Sequence, residues 1–210
     1  MSGTLASLTD LAQRHRVIVS RVLVGLIFPI LLLTRLTWTE RSVFGFAVEE
    51  TGFLLIILGA FGRVWAMLYL AGRKGKQLVT TGPYSICRNP LYFFNLLIGL
   101  GIVAALQNLL LFVPLVVLYP ASYFLAILGE EGELAQRFGA EYENYRKTVP
   151  RVAPAFWRYS RGGAEGWITI GESRSLRCLF ESAMFVLVIP FAEILEELHT
   201  RGILPLFFKN

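Results

Sequence analysis

Four long apolar runs, at residues 17–33, 43–70, 90–106 and 109–128, decide what this chain can become. About 20 apolar residues in a helix cross the hydrocarbon core of a bilayer. In lipid the backbone must satisfy its own hydrogen bonds, which leaves helices or closed barrels. Composition agrees: 55% of the 210 residues are hydrophobic and only 17% charged, where a soluble domain carries about a quarter charged. The expected fold is all-α: a polytopic membrane protein with four transmembrane helices. The third and fourth form a tight hairpin across Gln107-Asn108. A single membrane domain, 1–210, is expected, with N-terminal helices over 1–75, a central region over 76–154 and a C-terminal extension over 155–210.

The polar residues refine this outline. Pro29, Pro114 and Pro120 lie inside apolar runs, where membrane helices tolerate them if neighbours satisfy the freed carbonyls. Glu49 and Glu50 open the second run, an inexpensive interfacial place, whereas Arg63 is deeper and must snorkel or face a polar cavity. A structural role is the preferred reading for Arg63. From Glu130 the chain turns polar, and Leu134, Phe138, Tyr142 and Tyr145 are spaced as on an amphipathic helix over 130–145. Over 176–198, Glu181, Glu193, Glu196 and Glu197 interrupt another apolar stretch, expected to be a re-entrant, interfacial or fifth spanning helix.

Lys and Arg gather at residues 14–21, 73–88 and 137–161. The positive-inside tendency then places both termini and the polar clusters in the cytoplasm. The arginines before the first run, with no small-x-small site after it, read as an uncleaved first helix. The net charge of +5 suits anionic lipid head groups rather than nucleic acid. Cys87 and Cys178 make no disulfide framework, and no metal-ligand set is read. Cys87 stands beside Arg88, which would lower a thiol pKa, but a small packing residue is the preferred reading.

Two polar clusters carry the chemistry. The first runs from Thr81 to Tyr92 and the second is Glu130-Glu131-Gly132-Glu133. Gly82-Pro83 reads as a turn. Asn89-Pro90 reads as a helix start, with Asn as cap and Pro in first position, and such an end offers backbone N–H groups to a ligand. Tyr84 and Tyr92 present aromatic faces to a cation. Arg88 presents a planar fork for a carboxylate or phosphate. Glu130 and Glu131 present acceptors for an ammonium or ribose hydroxyls, although a solvated helix N-terminus is the plainer reading for Glu131 and Glu133. Together the inventory suits a zwitterionic, nucleoside-like, cationic ligand.

The ordered set Leu78-Val79, Gly82-Pro83-Tyr84, Arg88-Asn89-Pro90-Leu91-Tyr92, Glu130-Glu131-Gly132-Glu133-Leu134, Phe138-Gly139, Tyr142-Glu143-Asn144-Tyr145 and Val149-Pro150 resembles the isoprenylcysteine carboxyl methyltransferase family and the related membrane phospholipid methyltransferases. The resemblance covers 76–154. It implies an S-adenosyl-L-methionine site with contacts at Tyr69, Lys76, Gln77, Leu78, Val79, Tyr84, Asn89, Pro90, Leu91, Tyr92 and Glu130. It implies methyl transfer to a lipophilic small-molecule or lipid acceptor entering from the membrane, with Arg88 as the catalytic residue that orients it. Asn89 replaces the family's His. Ala126 stands where the prenylcysteine enzymes look to have an acceptor-contacting Arg. A carboxylate acceptor needs no base, whereas an amine, as in phospholipid N-methylation, must first lose a proton. A sterol-reductase-like enzyme using NADPH and a non-catalytic membrane scaffold are the readings of other classes.

Overall fold

The computed structural model describes residues 42–71, 73, 75–107, 111–162 and 172–203. The first apolar run with Pro29, the arginines before it, Lys74 and Asn108 lie outside the described residues. Among the described residues all regular structure is helical. The elements are α1 (Val43–Leu70), the single turn α2 (Pro83–Ile86), α3 (Pro90–Leu106), a π-helical segment (Val113–Leu118), α4 (Tyr119–Thr148), a 3-10 turn (Phe156–Arg158), α5 (Glu172–Val186) and α6 (Val188–Thr200).

Local chemistry accounts for most of the boundaries. Ser42 caps α1, its Oγ accepting from the Gly45 amide at 3.0 Å. Pro90 opens α3, where its missing N–H costs nothing. Gln107 closes α3 with φ 46, and its side-chain amide donates to the Gly45 carbonyl at 2.7 Å. The π-helical register contains Pro114 and ends just before Pro120; Pro120 has no N–H for the ordinary bond to Val116, and such shifts re-satisfy the backbone near proline. The same chemistry divides the C-terminal stretch. Pro190 cannot donate to Val186, so the helix breaks at Leu187 and restarts with proline in the first turn of α6. The expected single helix over 176–198 is thus two helices of 15 and 13 residues.

A second departure concerns residue 130. No helix begins there: α4 runs through Gly129-Glu130-Glu131-Gly132 without a stop. The change in polarity marks a change of surroundings, not a helix end. A glycine inside a helix costs only about 1 kcal/mol relative to Ala, and nothing in 129–133 removes a backbone donor. The real irregularity is Gly139, with φ 49 and ψ −121, a conformation that disfavours any residue with a Cβ.

The described residues form two compact units. One draws on the chain up to Ile56, Gly99–Gly129 and residues from Leu187 on. There Gly52 lets α1 meet α3 backbone to backbone: a Cβ on it would collide with Ala105 and lie 2.7 Å from the Gly101 carbonyl oxygen. Small residues at such crossings are how helices pack tightly in lipid. Leu106, Leu111 and Ala192 form its core, with Phe53 and Phe191 against them.

The other unit comprises Ile57–Ile98 and Glu130–Val186. Gly62 receives the Phe94 ring. One cluster buries Ala66, Val79, Tyr84 and Phe94, and a second buries Tyr142, Tyr145 and Val149 with Leu78, Leu134 and Phe138 around them. One described helix, α1, is long and apolar enough to cross a membrane, and only 28% of its most apolar window is buried. α3 is apolar but shorter.

Candidate functional site

The Gly82–Tyr92 stretch is held from behind by the chain that follows α4. Arg88 N–H donates to the Pro150 carbonyl at 2.8 Å and Asn89 N–H to that of Arg151 at 3.1 Å. Ala155 N–H returns a bond to Ile86 at 2.9 Å, and Gly82 N–H reaches Ser160 at 2.7 Å. Ser160 N–H in turn donates to Ser85 Oγ at 2.9 Å, and Tyr145 Oη donates to the Tyr84 carbonyl at 2.7 Å. This ladder gives the Val149-Pro150 pair a purpose: it aligns 150–155 against 86–89. Gly82 itself has φ 60, and a Cβ there would enter the Tyr69 ring.

The two polar clusters meet through adjacent glutamates that point to different partners. Glu130 Oε1 accepts from Tyr92 Oη at 2.8 Å. Glu131, only 7% exposed, gathers three groups from two other segments. Asn89 Nδ2 donates to its Oε1 at 3.1 Å. Arg88 Nη2 stands 3.2 Å from the same oxygen. Arg151 donates to Oε2 through Nε and Nη2, both at 3.1 Å. Glu131 is therefore not the solvated helix N-terminus that the sequence suggests: two guanidinium groups neutralise it, which is what permits burial of a carboxylate. Glu133 is exposed, as expected.

Arg88 is fixed from both sides, its Nη1 donating to the Arg146 carbonyl at 3.2 Å. Its side chain is 7% exposed. Three buried donors around the loop and its glutamates, Arg88 Nε and the Tyr84 and Tyr142 hydroxyls, have no hydrogen-bond partner among the described residues. Burial, reinforced by the negative charge of Glu130, pushes the Tyr84 phenol far above its ordinary range, so it remains an O–H donor. Burial also pushes the Cys87 thiol up to about 12. Desolvation outweighs the opposing hydrogen bond from the Asn89 backbone, and Cys87 is an inert packing residue. Tyr142 rises to about 12, again chiefly through burial, with Glu131 adding and the arginines opposing.

The remaining expected contacts divide. Tyr69 is half-buried, edge-on to Trp65 at 6.3 Å between centroids. Val79 and Pro90 are buried, Leu78 and Leu91 half-buried. Lys76 and Gln77 are exposed, their amides bonded to the Arg73 carbonyl at 2.9 and 3.3 Å. At the helix start, the Tyr92 and Phe93 amides both bond the Asn89 carbonyl, at 3.1 and 3.2 Å. Two of the N–H groups expected to be free there are thus engaged within the chain. Arg151 is the residue that sequence reasoning misses, and Glu131, expected as a ligand acceptor or a solvated residue, is its buried partner; the signal is a basic residue directly after Val-Pro.

The group implied by the motif is cationic at sulfur and carries an ammonium, a carboxylate and a ribose. The donor set fits it. Glu130 supplies a carboxylate, Tyr84 a buried unpaired O–H, and Tyr84 and Tyr92 aromatic faces beside that carboxylate.

Comparison with known proteins agrees with the motif. The family model described as phospholipid methyltransferase matches residues 48–141. The cobalt-zinc-cadmium resistance protein CzcN of Cupriavidus metallidurans is 32% identical over 203 residues, 97% of this chain and 92% of that protein. The nickel-cobalt-cadmium resistance protein NccN of Alcaligenes xylosoxydans xylosoxydans is 32% identical over 147 residues, 70% of this chain and 68% of its own. No solved structure matches. The matched segment contains the loop, α3 and the glutamate pair whose contacts are described above, and the chain belongs to the phospholipid methyltransferase family.

Proposed function

We propose that the protein is a multi-pass membrane methyltransferase that binds S-adenosyl-L-methionine on its cytoplasmic side and methylates a lipophilic acceptor. The observation that carries this reading is the Tyr92–Glu130 hydrogen bond of 2.8 Å. It joins two motif clusters 38 residues apart and sets a carboxylate beside aromatic faces. Membrane residence is supported by α1, whose Phe44, Phe46, Leu54, Leu58 and Phe61 are all at least half exposed. Such a surface is stable against acyl chains and costly against water.

When bound, the cofactor supplies an electrophilic methyl group. Glu130 and the tyrosine faces hold its cationic parts, with Tyr92 O–H fixing the carboxylate. The Tyr84 hydroxyl is available to a polar group, and the apolar cluster around Val79 and Phe94 excludes water. Methyl transfer of this kind gains mainly from proximity, alignment and desolvation. Arg88 acts on this reading through position: with Asn89 and Arg151 it locks the loop onto Glu131. The chain's two histidines, His15 and His199, are remote from the motifs in sequence, which favours an acceptor that needs no base, such as a lipid carboxylate.

The relatives are named for resistance to cobalt, zinc, cadmium and nickel. On our reading, methylation of a membrane constituent is this chain's contribution to such resistance. The test is transfer of labelled methyl from S-adenosyl-L-methionine into a membrane lipid extract by the purified protein. Label in the organic phase, absent with Glu130→Ala, is expected. Label staying wholly aqueous with the wild-type protein contradicts the proposal.

A further inference from the structure

The C-terminal helix α5 lies in the segment that the family resemblance does not reach, and its polarity is inverted. Leu176, Leu179, Phe180 and Met184 are exposed at 47–68%, whereas Cys178 and Ser182 are 3% exposed. Cys178, Ser182 and Phe185, with the half-exposed Glu181, make the opposite stripe at helical spacing, small or polar apart from Phe185. Burial of large apolar side chains therefore contributes little to holding α5 in place.

What α5 has instead is Arg63. Its Nη2 stands 3.2 Å from Glu181 Oε2, and its guanidinium carbon lies 5.3 Å from the centre of the Phe185 ring. On the other side, Nη1 donates to Asn95 Oδ1 of α3 at 2.7 Å. The side chain of Arg63 is 14% exposed and that of Glu181 44%. One fork thus ties three helices together, all within one compact unit. The tie sits one turn from Ala66 on α1 and one residue from Phe94 on α3, two members of the buried cluster that contains Tyr84. Cys178, one turn before Glu181, is near enough to Tyr84 to raise the phenol's pKa. The Tyr84 hydroxyl, buried and without a partner among the described residues, thus lies in the packed cluster that the Arg63 tie borders.

We propose that α5 is a wall of the methyl-donor site and that Arg63 is a positioning residue that holds it there through Glu181. This inference rests on the donor assignment above. Loosening the tie uncovers Tyr84 and Glu130 to water, and loss of the donor becomes faster while the contacts on the Tyr92 side remain.

Two readouts test it on the full-length purified protein in detergent. Maleimide labelling, mapped by peptide mass spectrometry, follows Cys178, with the buried Cys87 reporting general unfolding. Titration with S-adenosylhomocysteine follows the site. Glu181→Ala is expected to label at Cys178 at least about tenfold faster than wild type, to leave Cys87 protected, and to bind S-adenosylhomocysteine about 5–10-fold more weakly. Saturating S-adenosylhomocysteine is expected to slow Cys178 labelling in the wild type. If Glu181→Ala exposes Cys87 as well, Glu181→Gln, which keeps shape and loses only charge, takes its place with the same expectations. Unchanged Cys178 labelling overturns the tether. Faster labelling with unchanged affinity overturns the wall. A wild-type protein that binds no S-adenosylhomocysteine overturns the donor assignment and this inference with it, and the labelling arm still reports whether Arg63 holds α5.

Discussion

Replacing Glu131 with glutamine removes one charge and almost no volume from the centre of the loop network. The partners left behind differ. The Arg88 side chain is 7% exposed and that of Arg151 38%. Deleting one member of a buried ion pair strands the other and costs about 3–5 kcal/mol. The half-exposed Arg151 adds less than about 1 kcal/mol, because water screens it. For a chain of this length each kcal/mol moves the unfolding midpoint by about 2–4 °C. Glu131→Gln should therefore lower the midpoint by about 6–20 °C in a detergent melt followed by tryptophan fluorescence. Glu141→Gln, exposed on the same helix, serves as the control and should stay within about 2 °C. A Glu131→Gln melt indistinguishable from the control would refute the claim that Glu131 organises the loop.

Three further outcomes follow from the same geometry. Tyr92→Phe deletes the O–H bonded to Glu130 at 2.8 Å; a bond to a charged group is worth about 1.5–3 kcal/mol, so S-adenosylhomocysteine should bind at least about tenfold more weakly by calorimetry, and an unchanged affinity removes Tyr92 from the site. Gly82→Ala puts a methyl into the Tyr69 ring at φ 60; it should cost at least about 1–3 kcal/mol of stability by the strain alone, and a midpoint equal to wild type counts against the loop geometry. Alkaline pH should destabilise the fold. Cys87 and Tyr142, raised to about 12 from 9.0 and 10.0, hold their protons more tightly folded than unfolded. Their stabilisation is complete below pH 9 and is lost as pH climbs toward 12, so the melting midpoint should be flat near pH 8 and fall steadily above pH 9; a flat profile to pH 11.5 contradicts their burial.

Where helix boundaries depend on nearby residues, the sequence reveals them. Val43–Leu70 and Pro90–Leu106 are expected and observed with the same ends, because Ser42 and Pro90 act on the first turn they precede. The break at Leu187 is also encoded locally, by Pro190, inside an apolar stretch long enough for a single helix. Residue 130 misleads for a different reason. Polarity reports surroundings, and a helix that leaves an apolar environment for a polar one needs no interruption to do so.

Burial of charge is the least legible property. Glu131 is buried because Arg88 and Arg151 arrive from 43 residues before and 20 after it, and no local pattern encodes that meeting. The structural role expected of Arg63 takes the form of a tie between distant segments. Asn95 and Glu181 lie 32 and 118 residues away. The motif order brought Tyr92 and Glu130 into one hypothesis, whereas the engaged amides of Tyr92 and Phe93 could be known only from the fold.

The central claim is that the loop at Gly82–Tyr92 and the glutamate at 130 build a site for a sulfonium nucleoside. Calorimetric titration of the purified protein with S-adenosylhomocysteine, and separately with NADPH, tests it most directly. Saturable binding of S-adenosylhomocysteine, lost in Glu130→Ala, with no heat from NADPH, is the predicted result. Saturable binding of NADPH alone would contradict the account.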